Sequence, residues 1–267
     1  KGRDLSAVEK PVDDYRVISW ILDAFRTCIQ DEIQFVGGHQ IGNIKARHPQ
    51  LSFKENKEWR ETKSCGSFFK ADLDCGAGLI VSYTDIAYRS SLIEGVAAEE
   101  SDISVAIDSK WLTRYALRSQ DEIESKEKVC LSQGLISRLG GDLSVDIASA
   151  EFLGVVKFSR KAVDFLHHLD AQTKQKLKIQ RLSELVEFLR LKGFSVGFCD
   201  VVGDWAELND PRDLAQFILG TKAETLDRLT SLVTRSHILD QVMFTNQYWK
   251  DHRNDVLKKI RSKFDAA

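Results

Sequence analysis

One stretch constrains this chain more than any other: Leu79 to Tyr88, reading LIVSYTDIAY. Leu79, Ile80, Val81 and Tyr83 make a near-continuous apolar run, interrupted only by Ser82. That is the pattern of a strand covered on both faces by helices, and it predicts the central strand of an α/β sheet. The run ends in the polar pair Thr84–Asp85. In open α/β sheets, ligands bind just beyond the carboxyl ends of the strands. Asp85 is therefore a carboxylate delivered to the expected ligand site, with the oxygen chemistry a hard cation such as Mg²⁺ takes. The plainer reading is an Asp that caps the following helix.

The flanking sequence fits an α/β chain. Val17 to Ile29 carries apolar residues at helical spacing. Ile33 to Val36 reads as a short strand ending in Gly37-Gly38-His39, and a polar connection runs from Asn56 to Ser67. A helix is expected near Ser90 to Val96 and a strand from Asp102 to Ile107, ending at Asp108. Lys128–Cys130, Leu135–Leu139 and Phe152–Phe158 are short strand-like pieces. Arg160–Leu169 and Arg181–Leu191 read as amphipathic helices, and Gly193–Val202 as another buried strand. Asp204 to Asn209 follows, then a helix from Pro211. This alternation predicts a Rossmann-like mixed, mainly parallel sheet flanked by helices, with a small β insertion and a C-terminal helical extension. The texture changes at Gly220, which predicts one domain over 1–219 and a helical extension over 220–267.

Composition narrows the function classes. Lys and Arg number 38 against 40 Asp and Glu, a net charge of -2. That balance gives no case for nucleic acid or an anionic membrane surface. No apolar run approaches the ~18–20 residues of a membrane span. The 5 cysteines include no CxxC pair, so they read as reduced thiols of a cytoplasmic protein, not a disulfide framework or zinc site.

Four segments then fall in a recognisable order: DISVAIDSKW (102–111), Glu127-Lys128-Val129, EFLGVVKFS (151–159) and GDWAELNDPRDL (203–214). They follow Lys10-Pro11, the Gly37-Gly38 turn, Trp59, Thr62, Ser67 and the strand ending in Asp85. Together they resemble the nucleotidyltransferase family that includes sugar-phosphate, phosphocholine and phosphonate nucleotidyltransferases, over roughly Lys1 to Phe217. The family's first strand and Gly-rich loop would lie mostly before Lys1. The resemblance implies Mg²⁺-dependent transfer of a nucleoside monophosphate, CMP from CTP favoured, to a small phosphorylated acceptor, with pyrophosphate leaving. Phosphoglutamine, a phosphonate or a phosphocholine-like compound would be the acceptor. The acceptor's own oxyanion attacks the α-phosphorus, so catalysis is positioning and charge cancellation.

The resemblance also implies roles. Gly2, Arg3 and Lys10 would hold the triphosphate. Gly37, Gly38, Thr62 and Ser67 would line the base and ribose. Asp85 and Asn209 would hold Mg²⁺, although the family usually has Asp where Asn209 stands. Lys128 would meet the acceptor's phosphate, making Lys10, Lys128 and Asp85 the catalytic set. Asp108, Trp111, Glu151, Trp205 and Glu207 would shape the acceptor pocket. Without the resemblance, Gly37-Gly38 is a plain turn, Trp111 and Trp205 are core aromatics, Glu151 a solvated strand end and Lys128 a solvated lysine. The tail from Gly220 resembles the beginning of phosphoenolpyruvate synthase-like phosphotransferases, including glutamine kinase. Expected partners are thus a nucleoside triphosphate, a small phosphorylated acceptor and a fused or associated kinase module, with a homo-oligomer left open. Two alternatives stand beside this reading: a sugar-phosphate nucleotidyltransferase, and a catalytically idle nucleotide-binding or docking domain.

Overall fold

The computed structural model describes residues 11–12, 15–29, 32–74, 76–115, 118–208, short stretches between 214 and 244, and 246–264. Gly2, Arg3, Lys10 and Asn209 lie outside the described residues, as does Pro211, where a helix is expected. The chain forms two compact units, Lys1–Asp210 and Pro211–Ala267.

The first unit opens with a small antiparallel ladder of β1 (Pro11–Val12) and β2 (Tyr15–Arg16). Helix α1 (Val17–Arg26) follows and buries Val17, Ile18, Ile21, Leu22 and Phe25, the face its spacing predicts. β3 (Gln34–Gly37) and β4 (Ser52–Glu55) pair in parallel, joined by α2 (Ile41–Arg47). Ile18, Leu22, Ile44 and Leu51 form a satellite core here, with Phe35 and Phe53 packed against it. A short helix α3 (Ser64–Phe68) lies inside the stretch that reads as a polar connection.

The next pieces are β5 (Gly78–Ser82), β6 (Ile86–Tyr88), α4 (Ser90–Ala98), β7 (Ile103–Asp108), α5 (Trp111–Arg114), α6 (Gln120–Glu124), β8 (Lys128–Ser132), β9 (Leu135–Gly140) and β10 (Ala150–Ser159). Helices α7 (Arg160–His167), α8 (Ala171–Lys178) and α9 (Leu182–Leu191) precede β11 (Val196–Asp200) and β12 (Trp205–Glu207). Six strands form one sheet in the order β11-β7-β10-β8-β9, with β5 also pairing β10. The α/β class with flanking helices holds, but two details differ from expectation.

First, the centre of the sheet is β10, not the Leu79–Tyr83 run. β10 is ten residues long and bonds β7 along one edge. Its other edge serves β8 at Ala150 and Glu151, then β5 from Val155 to Ser159. Leu79, Ile80 and Val81 are only half-buried, whereas every residue of β7 is buried. An apolar run reports burial, not which strand has two neighbours. Second, the main sheet is mixed as expected but mostly antiparallel, not mainly parallel. β11–β7 and β3–β4 are parallel, while β10 takes only antiparallel partners.

Alternation along the strands sorts the two faces of the sheet. Ile103, Val105 and Ile107 face the main core with Phe152, Val156 and Phe158, closed by Val163 and Leu166 of α7 and Leu185 and Leu189 of α9. On the α4 side, the Lys157 ammonium donates to the carbonyls of Ala97 and Glu99, satisfying the end of that helix. Helix α8 carries no clear apolar stripe; Asp170 caps it through the Thr173 N–H at 2.9 Å, and only Leu177 is buried.

The second unit is described mainly through α10 (Asn246–Phe264), whose Val256 is buried and whose Trp249 stacks on Phe244 at 5.4 Å. Among the described residues, no helix is long and apolar enough to cross a membrane.

Candidate active site

The carboxyl end of β7 meets the start of β10 through the register pair Asp108↔Glu151, and Glu151 also faces Lys128 of β8. Three sequence-distant strands therefore deliver three ionisable side chains to one place. Asp108 is fully buried. Its carboxylate accepts from the Trp205 indole N–H at 2.9 Å and from the Lys110 amide at 2.9 Å. The Arg114 guanidinium lies 3.8 Å away. Arg114 also donates to the Trp205 carbonyl at 2.8 Å and covers the Trp205 ring at 4.5 Å.

Glu151 is 3% exposed. Its Oε1 accepts from the Tyr115 hydroxyl at 2.9 Å, while Oε2 is buried with no hydrogen-bond partner among the described residues. Burial pushes its carboxyl up to about 8; Lys126, Tyr115 and Arg114 oppose that rise and Glu207 adds to it. Trp111 is buried edge-on to Tyr115, ring centroids 6.1 Å apart, one helical turn along. The Lys126 ammonium pairs with Glu207 and sits 5.2 Å from the Tyr115 ring. Asp108, Trp111, Glu151, Trp205 and Glu207 are thus brought together. Trp111 and Trp205 are core aromatics as well as members of the cluster, and Glu151 is no solvated strand end.

Lys128 is fully buried, not a solvated lysine. Its ammonium donates to the carbonyls of Glu124 at 2.6 Å and Lys126 at 3.0 Å, and burial lowers its pKa. It holds the turn that carries Lys126 into the cluster. Sequence reasoning missed Arg114, Tyr115 and Lys126. The i,i+4 spacing of Trp111 and Tyr115 was the one available signal.

A second cluster lies beyond the carboxyl ends of the parallel strands β3 and β4. Asn56 is buried, and its amide N–H donates to the Gly37 carbonyl at 2.8 Å. Its side chain donates to the hydroxyls of Thr62 at 3.0 Å and Ser67 at 3.2 Å. A Cβ at Gly38 would meet the Trp59 ring and stand 2.7 Å from the Asn56 carbonyl. Gly37, Gly38, Thr62 and Ser67 therefore converge on Asn56, which sequence reasoning passed over as part of a polar connection.

Asp85 is half-buried between β5 and β6. β6 pairs antiparallel with β12, and the Leu208 N–H donates to the Asp85 carbonyl at 2.9 Å. This ladder sets Asp85 next to the segment bearing Glu207. A further buried network links the halves of the unit. The Tyr83 hydroxyl donates to Glu127 at 3.1 Å and lies 3.1 Å from the Ser64 hydroxyl, and Ser183 donates to the same carboxylate. Burial raises the Glu127 pKa.

The solved inositol-1-phosphate CTP transferase from T. maritima superposes with a TM-score of 0.60 at 17% identity, over 87% of this chain and 90% of that one. The fold is that of the nucleotidyltransferases. A Bacillus anthracis structure assigned as a glucose-1-phosphate thymidylyltransferase gives a TM-score of 0.57 at 14% identity, over 81% of this chain and 87% of its own. In sequence, a CTP:phosphoglutamine cytidylyltransferase from Campylobacter jejuni subsp. jejuni is 22% identical over 216 residues, 74% of this chain and 85% of the relative. No protein-family model matches the chain. The nucleotidyltransferase fold thus carries both clusters, one at the ends of β3 and β4 and one where β7 meets β10.

Proposed function

We propose that this chain is a nucleotidyltransferase that moves CMP from CTP to a small phosphorylated acceptor, phosphoglutamine first among those to test. The observation that supports it is the buried cluster of Asp108, Trp111, Tyr115, Glu151, Trp205 and Glu207, set beside Asp85 in a nucleotidyltransferase fold. The cytidylyltransferase relative, matched over most of its length, favours CTP and phosphoglutamine.

An oxygen of the acceptor's phosphate forms a bond to the α-phosphorus. The bond from that phosphorus to the bridging oxygen breaks, and its electron pair leaves with pyrophosphate. No side-chain nucleophile is needed; the chain must hold two anions together. Lys126 would face the acceptor's phosphate, with Lys128 fixing the turn beneath it. Gly2, Arg3 and Lys10 would hold the triphosphate. Trp111, Tyr115 and Trp205 would form a dry wall that strengthens each charge contact.

Among the described residues, no group of three or more His, Cys, Asp or Glu side chains would hold a metal alone. One carboxylate at Asp85 suits Mg²⁺, which binds through one or two carboxylates, waters and substrate phosphates. Asn209 would add a carbonyl oxygen. Bound there, the ion would supply positive charge to the triphosphate. The segment from Gly220 would begin a kinase module that makes the phosphorylated acceptor.

The test is pyrophosphate release from each nucleoside triphosphate, with phosphoglutamine, phosphocholine and sugar phosphates offered in turn. Release with CTP that depends on phosphoglutamine is expected. Release with a sugar phosphate instead would move the acceptor assignment, and release with none would overturn the enzyme reading.

A further inference from the structure

We propose that Asn56 fixes the hydrogen-bond polarity of Thr62 and Ser67 so that the pair reads the cytosine edge of CTP and rejects uracil; this rests on the nucleotidyltransferase reading above. The argument starts at the backbone. The Glu58 N–H can only donate, and it donates to Asn56 Oδ1 at 3.1 Å. The orientation of the Asn56 amide is therefore set, and its Nδ2 faces the other way. The two hydrogens on Nδ2 go to Thr62 Oγ1 at 3.0 Å and Ser67 Oγ at 3.2 Å.

Thr62 spends its own hydrogen on the Glu58 carbonyl at 2.9 Å, which can only accept. What Thr62 offers a ligand is a lone pair. Ser67 accepts from Asn56, and among the described residues its hydroxyl hydrogen meets no protein acceptor. What Ser67 offers is a donor. Both residues are half-buried, neither closed off in the core. They stand beyond the carboxyl ends of parallel β3 and β4, where α/β folds place ligands.

An acceptor beside a donor is complementary to one pyrimidine. Cytosine presents its exocyclic amino group, a donor, next to ring N3, an acceptor. Uracil reverses both, with O4 an acceptor and N3–H a donor. Against Thr62 and Ser67 it would meet lone pair with lone pair and hydrogen with hydrogen. A site built for polar partners rejects the ligand that leaves them unpaired. Asn56 touches no base in this scheme; it is a positioning residue acting through two hydroxyls.

The experiment titrates CTP and UTP into wild type, Ser67→Ala and Asn56→Asp, with pyrophosphate release run in parallel. Wild type should favour CTP by about tenfold or more, the value of one good hydrogen bond. Ser67→Ala should cut that ratio about tenfold, through weaker CTP binding. In Asn56→Asp a carboxylate accepts where the amide donated. The Ser67 hydrogen then turns toward residue 56 and its lone pair toward the base, so the ratio should move to UTP. If Asn56→Asp fails to fold, the Ser67→Ala ratio alone decides. Equal loss of both nucleotides in Ser67→Ala would overturn the base-reading role while leaving the nucleotidyltransferase reading intact. Binding of neither nucleotide to wild type would overturn both.

Discussion

Glu151 is the residue whose chemistry departs most from its usual range. Burial takes its carboxyl from an ordinary 4.5 up to about 8, and among the described residues Oε2 has no hydrogen-bond partner to offset the loss of water. Glu151 therefore keeps its proton at neutral pH in the folded chain and loses it near 4.5 in the unfolded one. The stability it contributes is fully present below the unfolded value and is lost as pH rises through the folded value. Lys126, Arg114 and Tyr115 face the same carboxyl and moderate the effect, while Glu207 adds to it. Urea unfolding should show wild type weaker at about pH 9 than at about pH 5, with Glu151 contributing on the order of 2 kcal/mol of that difference. Glu151→Gln keeps an acceptor for Tyr115 and removes the ionisation, so the difference should shrink. An identical pH dependence in the variant would show that Glu151 ionises freely.

At the scale of elements, β10 organises the first unit, and its one irregularity has a visible cause. The register against β7 shifts between Phe152 and Val156, and Gly154 within that gap has φ +78°. The Tyr83 ring lies where a Gly154 side chain would be, and the Tyr83 N–H donates to the Gly154 carbonyl at 2.9 Å. The bulge lets the ring reach Glu127 and Ser64 while β10 still spans the sheet. Gly154→Ala combines a strained φ with overpacking, and should cost about 2–4 kcal/mol. The melting temperature reads it, and a wild-type value would mean that Tyr83 moves aside freely. The apolar run at Leu79 announced a strand next to this point. It did not announce an edge strand, because half-buried and fully buried strands share the same aliphatic residues. The polar helix α8 escaped for the opposite reason: with one buried leucine, it carries almost no periodic signal.

Across the whole first unit, the β6–β12 ladder joins segments far apart in sequence and carries Asp85 to the neighbourhood of Glu207. If Asp85 holds the metal, Asp85→Asn should abolish turnover while the melting temperature stays within the reach of ~0.5 kcal/mol expected for a mild polar change. Asn209→Asp should lower the Mg²⁺ concentration that gives half-maximal rate, since a second carboxylate adds charge to a hard-cation site. Turnover that persists in Asp85→Asn would overturn the metal assignment. An unchanged Mg²⁺ requirement in Asn209→Asp would remove Asn209 from the site.

Local sequence determined which segments bury themselves. The spacing in α1, α7 and α9 and the aliphatic runs of β7, β10 and β11 mark them as helices and strands, because burial needs apolar side chains at the period of the element. The order of short motifs pointed to the nucleotidyltransferases and to the acidic and aromatic residues that meet where β7 joins β10. Only the tertiary structure decided how these residues meet. The proton on Glu151, the two carbonyls that hold the Lys128 ammonium, and the Asn56 amide bonded to both hydroxyls are properties of water-poor surroundings built from separate strands and turns. Neighbours in sequence do not specify those surroundings, since desolvation and hydrogen-bond polarity depend on what packs against a side chain.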